Sequence, residues 1–203
     1  MQPGPVAISP LAAVFERQRY AVVPGMISAQ EAKALGDQLE SSHAQGQMTM
    51  ADPQVPDTPS TYGNIMMERL LAQLGPKMQF YTGLPLYPTY SYARIYKNGD
   101  DLKPHRDRPA CEISMSLNLG QQPEEPWPLF VRDHDQRVFA AILNPGDALI
   151  YRGCELVHWR LPYKGEKMAQ VFLHYVDCNG PCADQKYDRR DALGMPAVRP
   201  PSN

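Results

Sequence analysis

The chain has 203 residues, one domain's worth, and its composition of 43% hydrophobic and 21% charged residues with a formal net charge of -2 excludes a nucleic-acid partner held by a basic surface. No apolar run reaches the roughly 18 residues of a membrane span, and the opening MQPGPVAISP lacks a basic-then-apolar leader, so a cytoplasmic protein with a small partner and no membrane is expected. Proline, at 21 of 203 residues, is well above its usual share, and the four cysteines form no CxxC pair; short strands, many turns and reduced thiols follow, with Cys111 and Cys154 in segments that read as strands.

Helical signals come first. Ser9-Pro10 precedes Leu11, Val14, Phe15 and Gln18, which opens one amphipathic helix, and Ser28 three residues before Glu31 is a capping box for a second. Between them, YAVVPG (20–25) predicts a short strand closed by a turn. MTMADPQVPDTPSTYG (48–63) is too polar and proline-rich for regular structure and predicts a mobile loop. A third helix after Asn64, carrying Leu70, Leu71 and Leu74, should stop or kink at Gly75-Pro76.

From Tyr87 the period becomes two. In TYSYARIY (89–96), Tyr90, Tyr92, Arg94 and Tyr96 share one strand face; in CEISMSLNL (111–119), Cys111, Ile113, Met115, Leu117 and Leu119 form an apolar face opposite Glu112, Ser114, Ser116 and Asn118. WPLFV, RVFAAIL, ALIYR, LVHWRL and KMAQVFLHYV continue the series between turn signals, about seven strands in all, as in a sandwich, barrel or jelly roll. The division expected is a single domain over 1–180, helical over residues 1–86 with a β core over 87–177, followed by a peripheral tail over 181–203.

The chemistry-bearing stretch is LKPHRDRPACEIS. In an extended strand His105 and Asp107 project to one side, and His158, in ELVHWRLPY, is available from the second half of the chain as a third ligand. Two imidazoles and a carboxylate on one face of an octahedral ion leave three positions open, the pattern of non-haem Fe(II) handling O2; zinc competes, without a helical HExxH to favour it. His174 alternates in phase with Met168, Gln170 and Phe172 and reads as structural, and His43 and His134 read as exposed.

In RQRYAVVPGMIS, YKNGDDLKPHRD, NPGDALIYRG, ELVHWRLP and GEKMAQVFLHY, in that order over residues 13–177, the chain resembles the Fe(II)- and 2-oxoglutarate-dependent dioxygenases of the prolyl-hydroxylase-like and phytanoyl-hydroxylase-like branches. The resemblance implies a double-stranded β-helix, mainly β with N-terminal helices, and carries His105, Asp107 and His158 over as iron ligands. It implies Lys167, in a G-x-K context after the distal histidine, as the cation for the far carboxylate of 2-oxoglutarate, helped by Ser116 and bordered by Tyr96; Arg160, on the strand face of His158, is the rival. The reaction implied is hydroxylation of an unactivated C–H in a small molecule or short peptide, with release of succinate and CO2. Arg94 and Arg108 are candidate holders of an anionic substrate group, and Tyr92 and Trp159 are candidate pocket walls. Two alternatives stand beside this: a jelly-roll isomerase or binding protein using Zn or Mn without 2-oxoglutarate, and a binding module without turnover.

Overall fold

Each helix begins where a polar side chain satisfies free backbone N–H groups. In the computed structural model, which describes residues 8–122 and 126–196, Ser9 accepts from the N–H of Leu11 to start α1 (Pro10–Gln18), and Ser28 accepts from that of Glu31 to start α2 (Ala29–Ala44). Asn64 caps α3 (Ile65–Thr82) through Met66 and Met67. Of the stop or kink expected at Gly75-Pro76, the stop does not occur. The buried face of this third helix, Leu70, Leu71, Leu74 and Met78, continues across the proline, so packing outweighs the roughly 3 kcal/mol that an interior proline costs.

The strands are β1 (Tyr20–Val23), β2 (Ser60–Tyr62), β3 (Leu86–Lys97), β4 (Leu102–His105), β5 (Ile113–Gln122), β6 (Leu129–Arg132), β7 (Val138–Ala141), β8 (Ala148–Tyr151), β9 (Val157–Arg160) and β10 (Lys167–Asp177). They form a six-stranded sheet in the order β1-β8-β5-β10-β3-β2 and a four-stranded sheet in the order β4-β9-β6-β7, with all pairs antiparallel. The architecture is the expected double-stranded β-helix, with ten strands among the described residues where the sequence showed one at 20–25 and about seven from Tyr87 onward. The short β2 and β4 carry too little period-two pattern to stand out.

Alternation decides what each face of the large sheet does. Ile113, Met115 and Leu117 on β5 and Ala169, Val171 and Leu173 on β10 pack with α1, α2 and α3 in the main apolar core. Their in-between neighbours Ser114, Ser116, Gln170, Phe172 and His174 turn toward the smaller sheet, leaving a space between the sheets walled by polar and aromatic groups.

Three further expectations change. Cys111 lies in a 3-10 turn (Pro109–Cys111) and Cys154 in the turn between β8 and β9, not in strands; all four thiols are free. The tail is not peripheral over its described residues, because residues 183–190 fold back and Arg190 forms an ion pair of 2.6 Å with Glu68, at 1% and 2% side-chain exposure.

Residues 48–59 are irregular but anchored. Asp52 accepts from Arg94 Nε at 2.5 Å, Tyr92 Oη at 2.8 Å and the N–H groups of Gln54 and Val55. Burial pushes the Asp52 carboxyl upward, but the Arg94 hydrogen bond and charge and the two N–H bonds more than offset it and hold it below the usual range. Asp52→Asn leaves Arg94 buried without its counter-charge and is expected to cost about 3 kcal/mol in urea unfolding at pH 7. Because the folded-state pKa is the lower one, the carboxylate's contribution is complete above the unfolded value of about 4 and is lost as pH falls below it, so variant and wild type converge in acid.

Candidate active site

His105, the last residue of β4, faces His158 on β9 as its register partner, with ring centroids 4.2 Å apart. Each Nδ1 is engaged by a main-chain carbonyl, that of Lys103 at 2.8 Å for His105 and that of Leu156 at 3.0 Å for His158. A carbonyl only accepts, so both Nδ1 atoms carry the proton and both Nε2 atoms are left as lone-pair donors. The two Nε2 atoms lie 3.5 Å from the same Asp107 oxygen, Oδ1, and one donor atom from each of the three residues lies within 4.8 Å of the others.

Asp107 reaches this point differently from the sequence expectation. It sits beyond the end of β4, held by its N–H donating to Gly153 O at 2.9 Å across the β8–β9 turn. Gly153 is there because nothing larger fits: a Cβ would meet Asp107 Oδ2 at 2.3 Å and Cys111 O at 2.5 Å. Burial pushes the Asp107 carboxyl upward, yet the neighbouring His105 and His158 outweigh it, and the group is held well below the usual carboxylate range. A neutral-imidazole pair with an anionic oxygen is a donor set that fits a divalent ion such as Fe(II).

The triad opens into a cavity of about 390 Å³ walled by Tyr90, Tyr92, Leu102, Leu129 and Phe172. His174 borders it, hydrogen-bonded at 2.9 Å to Ser114 and tilted on Tyr90, and burial pulls its pKa down to about 4.

On the same face of β9, two residues beyond His158, lies Arg160. It is 2% exposed, stacks over Trp127 with its guanidinium 4.4 Å from the ring centroid, and donates to Trp127 O and, at 2.8 Å, to Gln170 Oε1. Gln170 in turn donates to Ser116 Oγ. No carboxylate among the described residues pairs with Arg160, its Nε has no partner there, and burial pulls its pKa down to about 10. A buried guanidinium without an anion is costly, so Arg160 stands out as a cation whose counter-charge is not among the described residues.

Lys167 does not reach this space. It is out of phase with Met168, Gln170 and Phe172, lies on the helix side of β10, and pairs with Glu40 of α2 at 2.5 Å. Tyr96 is fully buried on the inner side, accepting from Arg94 Nη1 at 3.2 Å and meeting Trp127 edge-on. Of the expected substrate residues, Tyr92 lines the cavity, but Trp159 turns outward, stacked on Phe130 and under Arg132. Arg94 and Arg108 line the cavity with their charges already matched. Arg94 holds Asp52, and Arg108 grips Asp188 through two bonds of 2.6 and 2.8 Å. Sequence reasoning missed Asp52, Asp188, Gly153 and Gln170. Only Gln170 had a signal, its phase with Phe172 and His174.

No protein-family model matches this sequence, and no curated protein sequence matches it. Solved structures do. A Pseudomonas putida prolyl-4-hydroxylase superposes with a TM-score of 0.65 at 19% identity, covering 81% of this chain and 97% of that one. EctD from S. alaskensis gives 0.68 at 20% identity over 87% of this chain and 80% of its own, and has been solved with Fe and with 2-oxoglutarate and 5-hydroxyectoine. SnoN, a non-heme alpha ketoglutarate dependent epimerase from nogalamycin biosynthesis, gives 0.71 at 17% identity over 93% and 91%. With its triad between two antiparallel sheets, the chain has the double-stranded β-helix fold of these non-haem iron, 2-oxoglutarate-dependent enzymes.

Proposed function

We propose that this protein is an Fe(II)- and 2-oxoglutarate-dependent oxygenase that hydroxylates an unactivated C–H of a small molecule or short peptide, releasing succinate and CO2. The observation that carries the reading is Arg160: a buried guanidinium with no acidic partner among the described residues, on the strand face of His158. A plain metal-binding jelly roll has no use for an unpaired buried cation, whereas a dicarboxylate chelating the metal by one end needs one at the other.

In this reading His105, Asp107 and His158 hold iron, which supplies the activation of O2 that C–H cleavage requires. The main-chain carbonyls of Lys103 and Leu156 keep the imidazoles in the ligating tautomer. Arg160 and the Gln170–Ser116 pair receive the far carboxylate of 2-oxoglutarate, with Trp127 and Tyr96 as the apolar cover. Tyr92, Leu102 and Phe172 exclude water from the substrate side. The intact Asp107 leaves no ligand position for a halide, which favours hydroxylation over halogenation.

Anaerobic titration of the apoprotein with Fe(II) and then 2-oxoglutarate is expected to produce the weak visible charge-transfer band of a bidentate chelate. His158→Ala is expected to abolish it. Iron binding by the wild type without any band would rule out the cosubstrate and leave a metal-only jelly roll.

A further inference from the structure

Three arginines line the cavity, Arg94, Arg106 and Arg108, and they differ in what they hold. The first has Asp52 and the third Asp188, each through two guanidinium nitrogens, so neither has charge to spare for a ligand. Arg106 is otherwise placed. Its Nε donates to the main-chain carbonyl of Glu155 at 2.9 Å, and among the described residues no carboxylate pairs with it and neither Nη has a partner. The bond to Glu155 fixes the plane of the guanidinium, which lowers the entropy lost when its two outer nitrogens engage a ligand. Tyr92 and Phe172 line the same cavity.

We propose that Arg106 is a specificity-determining residue: it holds a carboxylate or phosphate group of the primary substrate at the cavity mouth, while the aromatic wall takes the substrate's apolar body. This rests on the cavity being the substrate site of the oxygenase described above. A planar guanidinium with two free, parallel N–H groups matches such an anion bidentately. The position is tied to the reaction centre, since Arg106 lies between His105 and Asp107 in the chain and an anion held there fixes its carrier next to the metal ligands.

The test uses calorimetry on the Fe(II) protein under anaerobic conditions with saturating 2-oxoglutarate, which occupies Arg160, and the probes benzoate, phenyl phosphate and uncharged benzamide. At least one anion is expected to bind the wild type about 10-fold or more tightly than benzamide, the effect of charge-assisted bonds at a partly exposed site. Arg106→Gln should level the two, and Arg106→Lys, which keeps the charge but not the fork, should retain some of the preference. No anion preference in the wild type, or a preference that survives Arg106→Gln, overturns the proposal. If Arg106→Gln also loses the charge-transfer band, its ligand neighbours have moved, and the lysine variant decides: preference kept with the band supports the role, preference lost with the band intact overturns it. The band in the wild-type samples separates the two readings. A band without anion preference removes Arg106 alone, and an Arg106-dependent preference without a band leaves the anion site standing while the oxygenase assignment falls.

Discussion

Arg160→Met is expected to weaken 2-oxoglutarate binding by two to three orders of magnitude, while Lys167→Met leaves it within about threefold. The asymmetry follows from burial. Removing one partner of a buried, hydrogen-bonded ion pair costs about 3 to 5 kcal/mol, because the other charge stays desolvated, and each 1.4 kcal/mol is a factor of ten. Arg160 is such a partner, enclosed by Trp127 and Gln170 and lacking any acid among the described residues. Lys167 forms a partly exposed pair with Glu40 on the far side of the sheet, an interaction worth no more than about 1 kcal/mol and one that concerns the packing of α2 alone. Thermal unfolding gives an independent reading: 2-oxoglutarate at a hundred times its wild-type Kd, with metal present, stabilises a binding protein by about 2.7 kcal/mol. The wild type and Lys167→Met should show that shift, and Arg160→Met should show no more than about 0.4 kcal/mol of it. The reverse pattern would return the cosubstrate carboxylate to Lys167.

The contrast between those two residues shows how far the sequence could be read. Strand parity was already visible, since His174 is in phase with Met168, Gln170 and Phe172; the same parity puts Lys167 on the opposite face. Motif spacing suggested Lys167, and strand parity turns it toward α2 and away from the face of Gln170 and Phe172. The meeting of His105 and His158 was legible because strand pairing needs only the antiparallel register of β4 and β9 to bring one against the other. The helix starts were legible because capping is local, within three residues of Ser9, Ser28 and Asn64. The charge partners were not. Asp52 reaches Arg94 from 42 residues away and Asp188 reaches Arg108 from 80, and no local pattern announces an ion pair across such separations. For that reason Arg94 and Arg108 looked available to a substrate when both are held internally. The passage of α3 through Pro76 has the same origin, a long-range packing face outweighing a local breaker.

Gly153→Ala is expected to abolish tight Fe(II) binding although residue 153 carries no ligand atom. The β8–β9 turn presses its Cα against Asp107 from one side and against the 3-10 turn ending at Cys111 from the other. One added methyl would sit 2.3 Å from Asp107 Oδ2 and 2.5 Å from the Cys111 carbonyl oxygen, distances at which something must move. The carbonyl belongs to backbone that enters β5, so the freer Asp107 side chain gives way first. Its other oxygen, Oδ1, is the one that both imidazole Nε2 atoms approach at 3.5 Å, so swinging the carboxylate aside leaves two histidines without it. Iron affinity should fall at least as far as the 10- to 100-fold typical of losing an outer-shell support, and toward the level of Asp107→Ala. Overpacking should also cost about 1 to 3 kcal/mol of stability. The double variant Gly153→Ala, Asp107→Ala tests the route of the effect. If the glycine acts by displacing the carboxylate, the second substitution adds almost nothing to the loss of metal affinity, and calorimetric titration with Fe(II) shows strong non-additivity. Additive losses would mean that Gly153 supports the site through the histidines or the fold, and that Asp107 tolerates the crowding.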